Sequence, residues 1–137
     1  VSTKRVPGAG GAARKRAYEL QRMKEGAPHQ VFEPDDLRLI AHNYAGRRAV
    51  LSDPYAFPAN GDLSGQPPIL IVTSEYDSIR PSGEAYARAV EEAGGDVSLI
   101  IVQAAPHAAL VDLDSAPGAQ TLSTIIGWLL DTARSGG

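Results

Sequence analysis

Pro67-Pro68-Ile69-Leu70-Ile71-Val72-Thr73-Ser74-Glu75-Tyr76-Asp77 is the stretch whose reading decides the fold. Ile69 to Thr73 is an unbroken aliphatic and β-branched run, bounded by two prolines and by polar residues. Such a run predicts a strand buried on both faces, as in a parallel sheet. Its polar end carries a carboxylate, Asp77. Downstream, Ser82 to Ala93 reads as a helix, with Ala85, Ala89 and Val90 on one side and Glu91-Glu92 on the other. Gly94-Gly95 stops it. Val97 to Val102 is a second apolar, β-branched run, and Ala105-Pro106-His107 follows it. Strand, helix, strand over about thirty residues is a βαβ unit, so the expected class is α/β with a parallel sheet.

The flanks are read by the same rules. Pro34-Asp35-Asp36 opens a helix, with proline near the first position and two carboxylates facing the positive helix end. Leu37, Ile40, Ala41 and Tyr44 give it an apolar stripe, and Gly46 ends it. Arg47 to Pro68 carries Pro54, Pro58, Gly61, Gly65, Pro67 and Pro68 and predicts a long irregular connection. A last helix begins near Pro117 and runs through Leu122, Ile125, Ile126, Trp128, Leu129 and Leu130. It is apolar over much of its surface and is expected to lie buried against the sheet. At the other end, Ala13 to Glu25 is rich in helix formers, with Ala17, Leu20 and Met23 at helical spacing, and Gly26-Ala27-Pro28 stops it. Val1 to Ala12 has no periodicity and is expected to be flexible, as is the Ser135-Gly136-Gly137 tail.

The chain has 137 residues, a length suited to one domain with a modest core. With no cysteine, a disulfide scaffold, a thiol nucleophile and a thiolate metal site are excluded. No apolar run approaches the roughly 20 residues of a membrane span, and no secretory signal is seen. A cytoplasmic location is the expectation. The net charge of -3 hides an asymmetry: Lys4, Arg5, Arg14, Lys15, Arg16, Arg22 and Lys24 crowd the start, opposed there by Glu19 and Glu25. A basic arm can bind nucleic acid. This one has no aromatic residue among its cations except Tyr18, so it reads as a solvated leader and nucleic-acid binding is not expected.

In open α/β sheets, ligands bind beyond the carboxyl ends of the strands. Asp77 and His107 both fall at that rim. A carboxylate and an imidazole there are two members of a Ser-His-Asp triad, in which the carboxylate fixes the histidine tautomer and stabilises the imidazolium. Taken singly, an Asp after a strand also serves as a turn or cap residue, and a His after Pro as an ordinary loop residue. The pair in this order, in these elements, carries more than either alone.

Wider motifs bear on the choice. Ser52-Asp53-Pro54-Tyr55-Ala56-Phe57-Pro58, followed by Asp62-Leu63-Ser64-Gly65-Gln66-Pro67-Pro68, resembles the hormone-sensitive-lipase-like branch of the α/β hydrolases (the fold-3 esterases and lipases). In that branch an "SP…DLSGLPP" stretch leads into the strand bearing the catalytic acid. Glu75-Tyr76-Asp77-Ser78-Ile79-Arg80 is similar to its "EYDPLRDEG" segment, and Gly83-Glu84-Ala85-Tyr86-Ala87 to its "GEAYA". Pro106-His107 resembles its "HGF" histidine site, with Ala108-Ala109 in place of Gly-Phe. The resemblance runs from about Phe32 to Leu130. It implies a partial α/β-hydrolase fold: residues 31–137 as the C-terminal strands of the parallel sheet with flanking helices, and residues 1–30 as an unrelated basic leader with a short helix. It implies Asp77 as triad acid, His107 as general base, an acyl ester as substrate, and no metal or organic cofactor.

The family's His-Gly-Gly-Gly loop and Gly-Asp-Ser-Ala-Gly nucleophile elbow are not in the sequence. Ser64 sits in the Leu-Ser-Gly linker, Ser74 ends the strand before Asp77, and Ser78 and Ser82 lie in the following turn, and none stands on a glycine-flanked strand-to-helix turn. Losing one oxyanion donor typically costs about 10²–10³ in rate, so the chain alone is expected to be inactive. The strand at Ile69–Thr73 is expected to leave an unpaired apolar edge. A separate N-terminal hydrolase half could cover it, or a second copy of the chain, or the gene could be truncated. The competing expectation is a non-catalytic interaction protein that uses this edge.

Overall fold

The computed structural model describes residues 9–26 and 31–135. The order of the main elements is α1 (Ala9–Gly26), α2 (Pro34–Ala45), β1 (Ile69–Tyr76), α3 (Arg80–Glu92), β2 (Val97–Pro106) and α4 (Ala116–Ser135). Short 3-10 turns at Arg48–Ser52, Pro58–Asn60 and Ala109–Val111 fill the connections. Residues 1–8 of the expected flexible segment lie outside the described residues, while residues 9–12 open α1. Ala27 and Pro28 of the expected helix stop, and Gly136-Gly137 of the tail, also lie outside them.

The βαβ unit forms as the sequence predicts. β1 and β2 are parallel neighbours in a two-stranded sheet, paired one to one from Ile69 with Val97 to Ser74 with Val102. Both strands run further than their apolar cores. Beyond Ser74, β1 advances to Tyr76 while β2 advances to Pro106, so β2 carries surplus residues in a bulge. Ala104, inside it, has a φ of 54°. The sequence hides this extension, because Glu75 and Gln103 interrupt the apolar pattern that marks a strand.

α3 lies on the β1 face that presents Ile71 and Thr73. A Cβ added to Gly83 would stand 3.0 Å from Thr73 Cγ2 and 3.5 Å from Ile71 Cγ2. The glycine therefore lets helix and strand approach closely. Asp36 accepts the Glu33 amide at 3.3 Å at the start of α2. Gly46, with a φ of 67°, closes that helix by donating its amide to the His42 carbonyl at 2.9 Å.

The core is small and sits at the carboxyl end of the strands. Val102, Ala105 and Ala109 form a buried cluster with Val72 packed against it, and Val90 of α3 is fully buried. α4 joins this cluster at its first turns, where Gly118 and Thr121 are buried. A Cβ at Gly118 would overlap the carbonyl oxygen of Asp112, so no larger residue fits without moving α4. Further along, the expectation of burial fails. Ile126 is 48% exposed, Leu129 54% and Leu130 52%, because the two-stranded sheet is too narrow to cover the helix. The α2 stripe is likewise open at Ile40 and Tyr44, although Tyr44 stacks edge-on against Phe57 at 5.7 Å.

Candidate active site

Asp77 follows the last residue of β1, and His107 follows the last residue of β2. Parallel strands end on the same side of their sheet, so the two side chains meet. His107 Nδ1 lies 3.0 Å from Asp77 Oδ2. Asp77 is buried and the imidazole half-buried. The other carboxylate oxygen, Oδ1, accepts the Ile79 amide at 2.9 Å. Asp77 thus does both jobs weighed for it: one oxygen shapes the turn into α3, and the other faces the imidazole. Fixing one oxygen by backbone orients the second.

The imidazole has further supports. Phe32 packs against it edge-on, with ring centroids 5.2 Å apart and planes at 81°. The Phe32 amide donates to Ser78 Oγ at 2.8 Å, which ties this segment to the turn after Asp77. Phe32 was visible in the sequence as one more aromatic residue, with no local signal of its proximity to His107. On the far side, Ala108 adopts φ 55° and ψ 34°. This is the left-handed region that glycine enters freely and that costs other L-residues roughly 1–2 kcal/mol. The Gly-Phe to Ala-Ala departure therefore leaves the backbone turn in place. Ala109 keeps a buried position with a much smaller side chain.

Beside the pair runs a cleft of about 360 Å³ whose lining includes Ile71, Val72, Thr73, Ser74, Asp77 and His107. Successive strand residues point to opposite faces. Four consecutive residues of β1 share one cleft because it wraps the strand's open edge. A second open groove, about 540 Å³, lies between β1 and α4 and is lined by Leu70, Val72, Ile125, Trp128 and Leu129. Ser74 and Ser82 also line the first cleft. Ser82 Oγ donates to the Ile79 carbonyl at 2.7 Å, and Ser78 Oγ is engaged by Phe32. Among the described residues no serine hydroxyl is hydrogen-bonded to His107. Nor does a group of three or more His, Asp or Glu gather as a metal would require. No described helix is long and apolar enough to cross a membrane.

The family model described as "alpha/beta hydrolase fold" matches residues 6–111 of this chain. The chain belongs to the alpha/beta hydrolase fold family. Carboxylesterase NlhH of Mycobacterium tuberculosis is 48% identical over 42 residues, which are 31% of this chain and 13% of that protein. Among solved structures, an esterase from the fungus Rhizomucor miehei matches with a TM-score of 0.69 and 28% identity, over 89% of this chain and 40% of its own. A hormone-sensitive lipase from a metagenome library matches with a TM-score of 0.65 and 25% identity, over 73% of this chain and 34% of its own. The chain thus spans well under half the length of these relatives. It is a portion of an α/β-hydrolase fold related to the hormone-sensitive-lipase-like esterases and lipases, with a two-stranded parallel sheet. It holds an acid–histidine pair and lacks the nucleophile elbow.

Proposed function

We propose that this chain supplies the acid and the base of an acyl-ester hydrolase whose serine is carried on another stretch of polypeptide. The observation that carries this reading is the 3.0 Å contact of His107 Nδ1 with Asp77 Oδ2 at the rim of a parallel sheet. With Nδ1 engaged, Nε2 is the nitrogen that takes the proton of the attacking serine. Asp77 holds the tautomer and stabilises the imidazolium. His107 then returns the proton to the departing alcohol. In the second half-reaction it takes a proton from water, which cleaves the acyl-serine. The oxyanion donors come with the serine.

In this reading the nucleophile-bearing portion adds its strand along the open edge of β1, beside the 360 Å³ cleft. Residues 31–137 carry the strands and the acid–base pair, and α1, which lies inside the family match over residues 6–111, packs on them through the buried Met23. A cytoplasmic location suits a chain without cysteine. Alone, the chain has no turnover.

The test is reconstitution. Co-expression with the N-terminal half of a family esterase, carrying its Gly-Asp-Ser-Ala-Gly elbow, is expected to yield cleavage of a short-chain p-nitrophenyl ester. His107→Ala should abolish it. Cleavage that survives this substitution overturns the assignment of the base. A second reading, a non-catalytic protein that binds a partner or a second copy through its sheet edge, is favoured by the exposed apolar flank of α4. It is the outcome if a stable stoichiometric complex forms and cleaves nothing.

A further inference from the structure

Between Val102, the last residue of β2 in regular register, and His107 lies the bulge. Surplus residues bend the strand, raise its local twist and shift the position of the residues that follow. The geometry of this bulge therefore decides whether His107 reaches Asp77. The bulge is held by Glu75. Its Oε2 accepts the Ala104 amide at 2.9 Å, the amide of the residue that has the positive φ. Its Oε1 accepts Arg22 Nη2 of α1, also at 2.9 Å. Its backbone carbonyl accepts Arg80 Nη1 of α3 at 2.9 Å. Three elements converge on one residue of β1, two positions before Asp77.

We propose that Glu75 is a positioning residue: its carboxylate, steadied by Arg22, fixes the Ala104 bulge and thereby places His107 against Asp77. A bulge amide has lost its ladder acceptor, and a carboxylate is a stronger replacement than a neutral carbonyl. An alanine in left-handed backbone relaxes when that hold is released. The purpose of this arrangement rests on the hydrolase reading above, but its geometry does not.

The test uses the whole chain, labelled with ¹⁵N, in solution NMR. His29 and His42 serve as internal references for the low-field Nδ1–H resonance of His107. In Glu75→Ala, the His107 resonance is expected to be lost, and Ala104 amide exchange should accelerate by about tenfold or more, as for loss of a hydrogen bond to a charged group. Glu75→Gln keeps an acceptor for the Ala104 amide and should retain the resonance. Adding Ala104→Gly to Glu75→Ala should restore it, since glycine holds positive φ unaided. An unchanged His107 resonance in Glu75→Ala overturns the proposal, as does failure of the double variant to recover it. If Glu75→Ala does not fold, the Glu75→Ala, Ala104→Gly double variant decides: recovery of the fold and of the resonance supports the proposal, and failure to recover them overturns it. None of these readouts needs turnover. A negative result here leaves the ester-cleavage test standing, and a failed reconstitution leaves the Glu75 result standing.

Discussion

The strand rim and the outer flank of α4 are built from similarly apolar sequence and end in opposite states. At the rim, Val102, Ala105 and Ala109 are buried, and Asp77 has a partner for each carboxylate oxygen. Along α4, Ile126, Leu129 and Leu130 stand half in solvent over an open groove. Hydrophobicity drives a side chain out of water only where there is a surface to receive it. The rim has that surface because β1, β2, α3 and the first turns of α4 converge there. The flank faces the side of β1 that has no neighbouring strand among the described residues.

The contrast is breakable by mutation. The largest difference should come from truncating one residue in each region. Val102→Ala, at a fully buried site, is expected to cost about 2 kcal/mol in urea denaturation. Leu129→Ala, already 54% exposed, should cost about 1 kcal/mol or less despite removing more atoms. Equal losses would mean that the flank is covered in solution. Next is the turn after the imidazole. Ala108→Gly should raise stability by about 0.5–1 kcal/mol, the relief of left-handed strain less the added unfolded-state freedom. A loss of stability would show that Ala108 does not hold φ 55°.

The smallest effect lies far from both regions. The Ser64 amide, at 2.9 Å, and then its hydroxyl hold the Asp62 carboxyl below its usual range. A depressed folded value stabilises above the unfolded carboxylate range and is lost as pH falls through the folded value. Asp62→Asn should therefore flatten a small part of the acid limb of stability. An acid limb identical to the parent's would remove Asp62 from that account.

The strands, helices and rim were legible because each has a local cause. Pro67-Pro68 and the Ile69–Thr73 run mark β1, Pro34-Asp35-Asp36 marks the start of α2, and Gly94-Gly95 marks the end of α3. Asp77 and His107 were legible because parallel strands bring their carboxyl ends together whatever lies between. The burial of α4 is not legible in the sequence, because periodicity reports which face is apolar and not whether anything covers it. Nothing local in the sequence marks Glu75 as a brace for the bulge. Its role depends on Arg22, 53 residues earlier, and Ala104, 29 residues later.

By itself, then, the sequence determined the βαβ unit, its family and the two residues that meet at its rim, since these follow from nearest-neighbour preferences and one rule of sheet geometry. The tertiary structure alone decided the bulge that phases His107, the carboxylate that braces it and the bare flank of α4. Those depend on which distant atoms arrive within reach, and no local pattern encodes that.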